Sequence, residues 1–258
     1  MRAVRRSSVL LGVVLSMFLS GAGSVGAATD RLPDLAMARL RNFKIQNTDS
    51  GQRLLRFSTI IVNVGKGPFQ TTGTRPDTGG AGCDPEPFTP CMRDVNQRIF
   101  NDAGGYRNVD APGAYMYFAG DGHTHWHVRD LETYELIRSD NGSKVGTGAK
   151  HGFCFYDNYK YKLNLPGAPG SPVYRDCGKS TDLSVTMGLS VGWGDKYNAA
   201  LPDQYIDITG LTPGRYRLWA IADDSNWFME SSEANQATWA DLQIGTGGVT
   251  VIKKSPNP

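Results

Sequence analysis

Three histidines alternate along Gly120 to Arg129, which reads GDGHTHWHVR: His123, His125 and His127, three of only four in the chain. On an extended backbone, residues two apart point to one side, so the three imidazoles emerge together. Co-facial imidazoles with room for water or substrate make a transition-metal shell, and copper or zinc are the metals such a set suits. In a flat strand the outer two α-carbons lie about 13 Å apart, at ~3.3 Å per residue. A metal bond of ~2 Å cannot close that gap. The expectation is therefore a bent or bulged strand, with Gly120 and Gly122 permitting the bend.

The elements that must carry these residues read as all-β. Leu54 to Val64, LLRFSTIIVNV, is rich in β-branched and aromatic residues and ends at Gly65-Lys-Gly-Pro68. Further strands are expected around 34–40, 95–100, 114–118, 204–208, 215–222 and 239–244. The histidine strand is expected to run on through Val128 to Ile137 into a tight hairpin turn at Asp140-Asn141-Gly142. Trp126, between two histidines, should face the core. Residues 70–95 read as a long loop, and 158–190 as irregular. The fold expected is a β-sandwich with immunoglobulin-like elements, long loops and insertions, and few or no helices.

Arg2, Arg5 and Arg6, then an apolar run Val9 to Leu19 and small residues to Ala28, have the form of a signal peptide over residues 1–28. Residues 29–258 are then one domain, secreted and without a membrane anchor. Without that leader the formal charge falls from +2 to about −1, since three arginines and no acids leave. No basic cluster survives to suggest a nucleic-acid partner. Cys83, Cys91, Cys154 and Cys177 suit an oxidising compartment, and no spacing is that of a CxxC zinc pair. Of three possible connectivities, sequence proximity favours Cys83–Cys91 and Cys154–Cys177.

The order of motifs resembles the lysyl oxidase family, in the manner of a bacterial member. HxHxH is followed by a strand ending Tyr134-Glu-Leu136, then Lys150-His-Gly-Phe-Cys154. Gly188-Leu-Ser-Val-Gly-Trp-Gly-Asp-Lys-Tyr197 comes next, then Gln204 to Leu218 (QYIDITGLTPGRYRL), then Glu230-Ser-Ser-Glu-Ala-Asn235. The match runs from about Leu54 to Leu242, and the combination is more specific than any one motif. The resemblance implies that His123, His125 and His127 bind Cu2+. It also implies that Lys150 and Tyr197 cross-link into lysine tyrosylquinone. The activity implied is oxidation of primary amines, peptidyl lysine among them, to aldehyde by dioxygen, with release of ammonia and hydrogen peroxide. A quinone is needed because no natural side chain accepts two electrons in this way.

The animal enzymes carry a histidine just before the tyrosine of the strand after the metal motif; here Thr133 precedes Tyr134, one residue closer. The catalytic base must therefore be sought elsewhere, with Asp130, Asp195 and His151 as candidates. Counting residue pairs across a two-residue Asn141-Gly142 turn places Lys150 opposite Thr133, about 20 Å from His127 at ~3.3 Å per residue. The acidic stretch from Asp223 to Asn235 has oxygen ligands of the kind calcium takes, but it reads better as a surface loop with a turn. The alternative function is an exported copper- or zinc-binding protein that forms no quinone. A third is an immunoglobulin-like adhesive or carbohydrate-associated module whose histidines serve structural zinc.

Overall fold

A computed structural model describes residues 27–75, 91–119, 124–148 and 152–258. Their strands are β1 (Asp30–Arg31), β2 (Leu35–Met37), β3 (Arg41–Asn47), β4 (Arg53–Asn63) and β5 (Phe69–Thr74). Next come β6 (Cys91–Met92), β7 (Asp94–Asn101), β8 (Tyr106–Asp110), β9 (Met116–Phe118) and β10 (Trp126–Arg129). They continue with β11 (Glu132–Arg138), β12 (Lys144–Thr147), β13 (Gly152–Phe153), β14 (Tyr159–Lys160) and β15 (Ser184–Leu189). The last are β16 (Trp193–Tyr197), β17 (Tyr205–Asp207), β18 (Gly214–Ala222), β19 (Ala237–Ile244) and β20 (Val249–Lys254). Every pairing is antiparallel, and the described residues contain no helix, so the all-β expectation holds.

β4 organises one sheet, in the order β14-β16-β4-β17 with β2 and β3 also paired to β4. Its apolar run is nearly continuous, and from Phe57 to Asn63 every side chain is buried. That is the pattern of a strand covered on both faces. By contrast, β11, β18 and β19 alternate buried and part-exposed positions within the sheet β12-β11-β18-β19-β20. That sheet covers the core with one face and meets water with the other. β1-β7-β5-β15, with β8 on β7, forms a third sheet, and β13-β10-β9-β6 a small fourth one. One apolar core joins them, with Phe57 edge-on to Tyr134 at 5.0 Å and Phe69 edge-on to both Phe155 and Phe228.

Several local expectations need correction. The strand through the histidines does not continue to Ile137: β10 stops at Arg129, and Asp130 turns the corner with φ of +51°. Aspartate tolerates that left-handed backbone better than most residues. The corner passes the chain from the small sheet to the outer one. The hairpin that follows has a four-residue loop, 139–142, closed by Arg138 N–H to the Ser143 carbonyl at 2.9 Å. A bulge between Leu136 and Ile137 then moves the register, so that Glu135 faces Thr147. Lys150, expected opposite Thr133, lies outside the described residues; β12 ends at Thr147, and the described chain resumes at Gly152, opposite Arg129 of β10.

The start of the expected loop is instead strand, since Phe69–Thr74 is a largely buried strand between β7 and β15. Residues 76–90, including Cys83, lie outside the described residues, so only Cys91 of that proposed bridge is described. The stretch 158–190 holds β14 and β15, and β8 and β20 were not anticipated. Both are sheet-edge strands with mostly exposed side chains, which leaves no apolar periodicity to read.

Candidate metal and cofactor site

β10 is buried at all four positions. Trp126 is fully buried; its indole N–H donates to the Lys179 carbonyl at 2.7 Å, and its backbone N–H to the Cys177 carbonyl at 3.0 Å. His127, one residue on, is equally buried and is directed to the opposite face. His125 is half-buried at the strand's entrance, and its carbonyl accepts the Ala119 N–H.

The Nε2 atoms of His125 and His127 converge to 3.0 Å. Such a pair holds either one shared proton or one cation. With bonds of ~2 Å to imidazole nitrogen, a single copper or zinc ion can reach both. The other nitrogen of His127, Nδ1, lies 3.4 Å from the Tyr117 hydroxyl, and the two rings meet edge-on at 5.6 Å. An outer partner of this kind orients a ligating imidazole. Among the described residues no three metal-donor side chains converge, and His123 lies outside them.

β13 ties this pair to Tyr197. A Cβ on Gly152 would fall 2.4 Å from the Tyr117 hydroxyl and 2.8 Å from the His127 Cβ, so only glycine fits there. The ring of the next residue, Phe153, lies 3.9 Å from that of Tyr197. Cys154 donates its N–H to the Tyr197 phenol oxygen at 2.8 Å. Cys154 is also disulfide-bonded to Cys177, as sequence proximity favoured. The bridge thus joins the residue that holds Tyr197 to the residue that holds Trp126. Lys150 and His151, immediately before Gly152, lie outside the described residues.

Tyr197 is buried at the end of β16, opposite Thr59 of β4. Burial, and then the nearby Asp195 charge, push its phenol well above the ordinary tyrosine range, so it stands protonated. Asp195, two residues back on the same strand, is completely buried and accepts from the Asn158 amide. Asp130 is elsewhere: it sits at the corner after β10, half-exposed, with its carboxylate 3.2 Å from Arg129 Nε.

A buried polar cluster beside Tyr197 was not anticipated. Glu132 Oε2 accepts from the Tyr134 hydroxyl at 2.7 Å and from the Thr59 hydroxyl at 3.2 Å. Gln204 donates to the Tyr134 oxygen at 3.0 Å. Burial and the Glu132 charge push the Tyr134 phenol well up. One signal was available in the sequence: Glu132, Tyr134 and Leu136 share the parity of the core-facing side of β11, where a carboxylate is costly unless hydrogen-bonded.

The acidic stretch after β18 is a loop, as expected, but two of its carboxylates turn inward. Asp223 accepts the Trp227 and Phe228 N–H groups at 3.0 Å each, and Glu230 accepts the Leu35 N–H. Burial raises Asp223 to about 6 and Glu230 to about 8.

The profile of the lysyl oxidase family matches residues 105–253, more than half of the chain. Lysyl oxidase homolog 3A of Danio rerio is 27% identical over 186 residues, covering 72% of this chain and 18% of that protein. Protein-lysine 6-oxidase of Gallus gallus is 32% identical over 125 residues, covering 47% of this chain and 26% of that protein. Lysyl oxidase homolog 1 of Homo sapiens is 33% identical over 121 residues, covering 46% and 19%. The chain therefore spans about a quarter or less of the length of these relatives. With the histidine pair, β13 and Tyr197 all inside the matched region, the chain belongs to the lysyl oxidase family.

Proposed function

We propose that the protein is a secreted copper-dependent amine oxidase that deaminates primary amines, peptidyl lysine among the candidates. Residues 1–28 serve as its signal peptide and 29–258 as its single catalytic domain. His123, His125 and His127 hold the copper ion, and Lys150 and Tyr197 supply the lysine tyrosylquinone. The observation that carries this reading is the run Gly152-Phe153-Cys154, which packs on His127 at one end and fixes the Tyr197 ring and oxygen at the other. Lys150 is two residues upstream of that run. A relative named protein-lysine 6-oxidase supports the choice of substrate class.

A quinone held at Lys150 and Tyr197 would supply the two-electron acceptor that no natural side chain provides, for oxidation of the amine by dioxygen to aldehyde, ammonia and hydrogen peroxide. Copper held by His123, His125 and His127 would supply the redox chemistry for building it, which zinc lacks. The protein's residues do the rest. The Tyr117 hydroxyl orients the His127 ring. The Cys154 N–H and the face of Phe153 fix the Tyr197 ring before any cross-link exists.

The test compares two variants of copper-loaded protein in an amine-dependent peroxide assay. Lys150→Ala should lose activity while keeping about one copper per chain. His125→Ala should lose both. Full activity in Lys150→Ala rejects the quinone reading and leaves the metal-binding protein as the account.

A further inference from the structure

The proposed reaction requires a base for the C–H bond next to the amine nitrogen, and the two described residues among the three suggested by sequence do not meet its demands. Such a base must lie near the Tyr197 ring and must also be within reach of an amine entering from solvent. Asp195 is near Tyr197 but wholly enclosed. Asp130 reaches solvent but is held on Arg129 at the corner. His151 lies outside the described residues.

We infer that Glu132 is the catalytic base. This rests on the amine oxidase reading above. Thr59, whose hydroxyl donates to Glu132, is the cross-strand partner of Tyr197, so its side chain leaves β4 on the same face as the Tyr197 ring. Directly opposed residues have Cβ atoms about 5 Å apart. The Glu132 charge is close enough to push the Tyr197 phenol further up. Glu132 is itself buried, with 3% of its surface exposed, but unlike Asp195 it lines on its other side an open cavity of about 240 Å³, walled by Asp130, Tyr134, Thr147, Gly148 and Asp224. Gly148 is packed so closely on Tyr134 that a Cβ would fall 2.3 Å from that ring, which fixes this wall of the cavity. Glu132 thus stands between the cofactor tyrosine and a route to solvent. The hydroxyls of Tyr134 and Thr59 hold its carboxylate in place.

In the step assigned here, Glu132 takes the proton as the C–H bond breaks, and the electron pair of that bond reduces the quinone. Dioxygen later removes those electrons. Charged and titratable groups facing Glu132 are Tyr134 on its own strand and Tyr197 and Asp195 on β16. Across the cavity are Asp130, Asp224 and Lys144, the last paired with Glu135 at 2.6 Å.

The experiment uses full-length, copper-loaded protein incubated in air so that the quinone can form, and then made anaerobic before benzylamine is added. Wild type should develop a quinone band that benzylamine bleaches. Glu132→Gln should develop the same band but bleach about 100-fold or more slowly. Glu132→Asp should recover part of the rate, and the slowed step should show the full isotope effect with α-deuterated benzylamine. Equal bleaching rates in wild type and Glu132→Gln overturn the assignment. If wild type has no band, or benzylamine leaves it unbleached, the amine oxidase reading fails and the inference goes with it. If Glu132→Gln alone forms no band, Tyr134→Phe decides, because it keeps the carboxylate and removes one donor. Its acidic limb of kcat/KM must then move to higher pH, and an unmoved limb rejects Glu132.

Discussion

The outer sheet β12-β11-β18-β19-β20 and the small sheet β13-β10-β9-β6 are stabilised in opposite ways. In the outer sheet, alternation does the work: Tyr134, Leu136, Leu218, Ala220, Ala240 and Leu242 face the core in ladder register, while Arg217 and Asp241 face water. Its strands run seven to nine residues in β11, β18 and β19, so each supplies its neighbour with a full ladder. The small sheet has strands of two to four residues, too short to be stable alone. Contacts from distant chain hold it instead: the Lys179 and Cys177 carbonyls on Trp126, the disulfide, and close packing against Gly152. Under the proposed function the small sheet presents the histidine pair, while Tyr197 comes from β16 and Glu132 from the start of β11 in the regular sheet. Placing a site on short strands costs local stability but lets residues from four separate segments meet.

That contrast predicts graded effects. Trp126→Ala should be the most damaging, costing about 3–5 kcal/mol as a buried aromatic deletion. Chemical denaturation reads the loss, and copper binding should fall with it. Replacing Cys154 and Cys177 together by serine should cost about 3 kcal/mol through the freed 23-residue separation. It should also loosen Tyr197, seen as a red-edge change in its near-ultraviolet dichroism. Gly152→Val should cost about 1–3 kcal/mol by overpacking. Copper affinity, measured by competition with a chelator, should drop by more than that stability loss explains, because the new methyl groups displace His127. In the outer sheet, Arg217→Ala removes the bidentate pair with Asp241 and the stack 4.2 Å above Trp239. The side chain is 39% exposed, so the cost should stay within about 1 kcal/mol. Copper binding should not change. If it does, the two sheets are not energetically separate.

The same contrast explains what could be read from sequence. Strands β4, β18 and β19 and the core-facing Trp126 were legible because long or alternating apolar patterns encode them. Period-two spacing also placed His125 and His127 on one face. The corner at Asp130 was not legible, since a positive φ on aspartate leaves no mark in the hydrophobic pattern. Register after the hairpin failed for a related reason: a four-residue loop and a bulge both read as glycine-rich turn chemistry. Thr71 and Gln70 look like loop residues, yet they are buried because strands pair on both sides of β5. Glu132 was overlooked because the cluster that holds it brings in Thr59, which donates to Glu132, and Gln204, which donates to Tyr134, from more than seventy residues away on either side.

The most direct measurement is made on copper-loaded protein incubated in air, following the visible spectrum and then mapping peptides by mass. A quinone band, with Lys150 and Tyr197 recovered in one cross-linked peptide, is the predicted result. One bound copper per chain with no band and both residues unmodified would contradict the account.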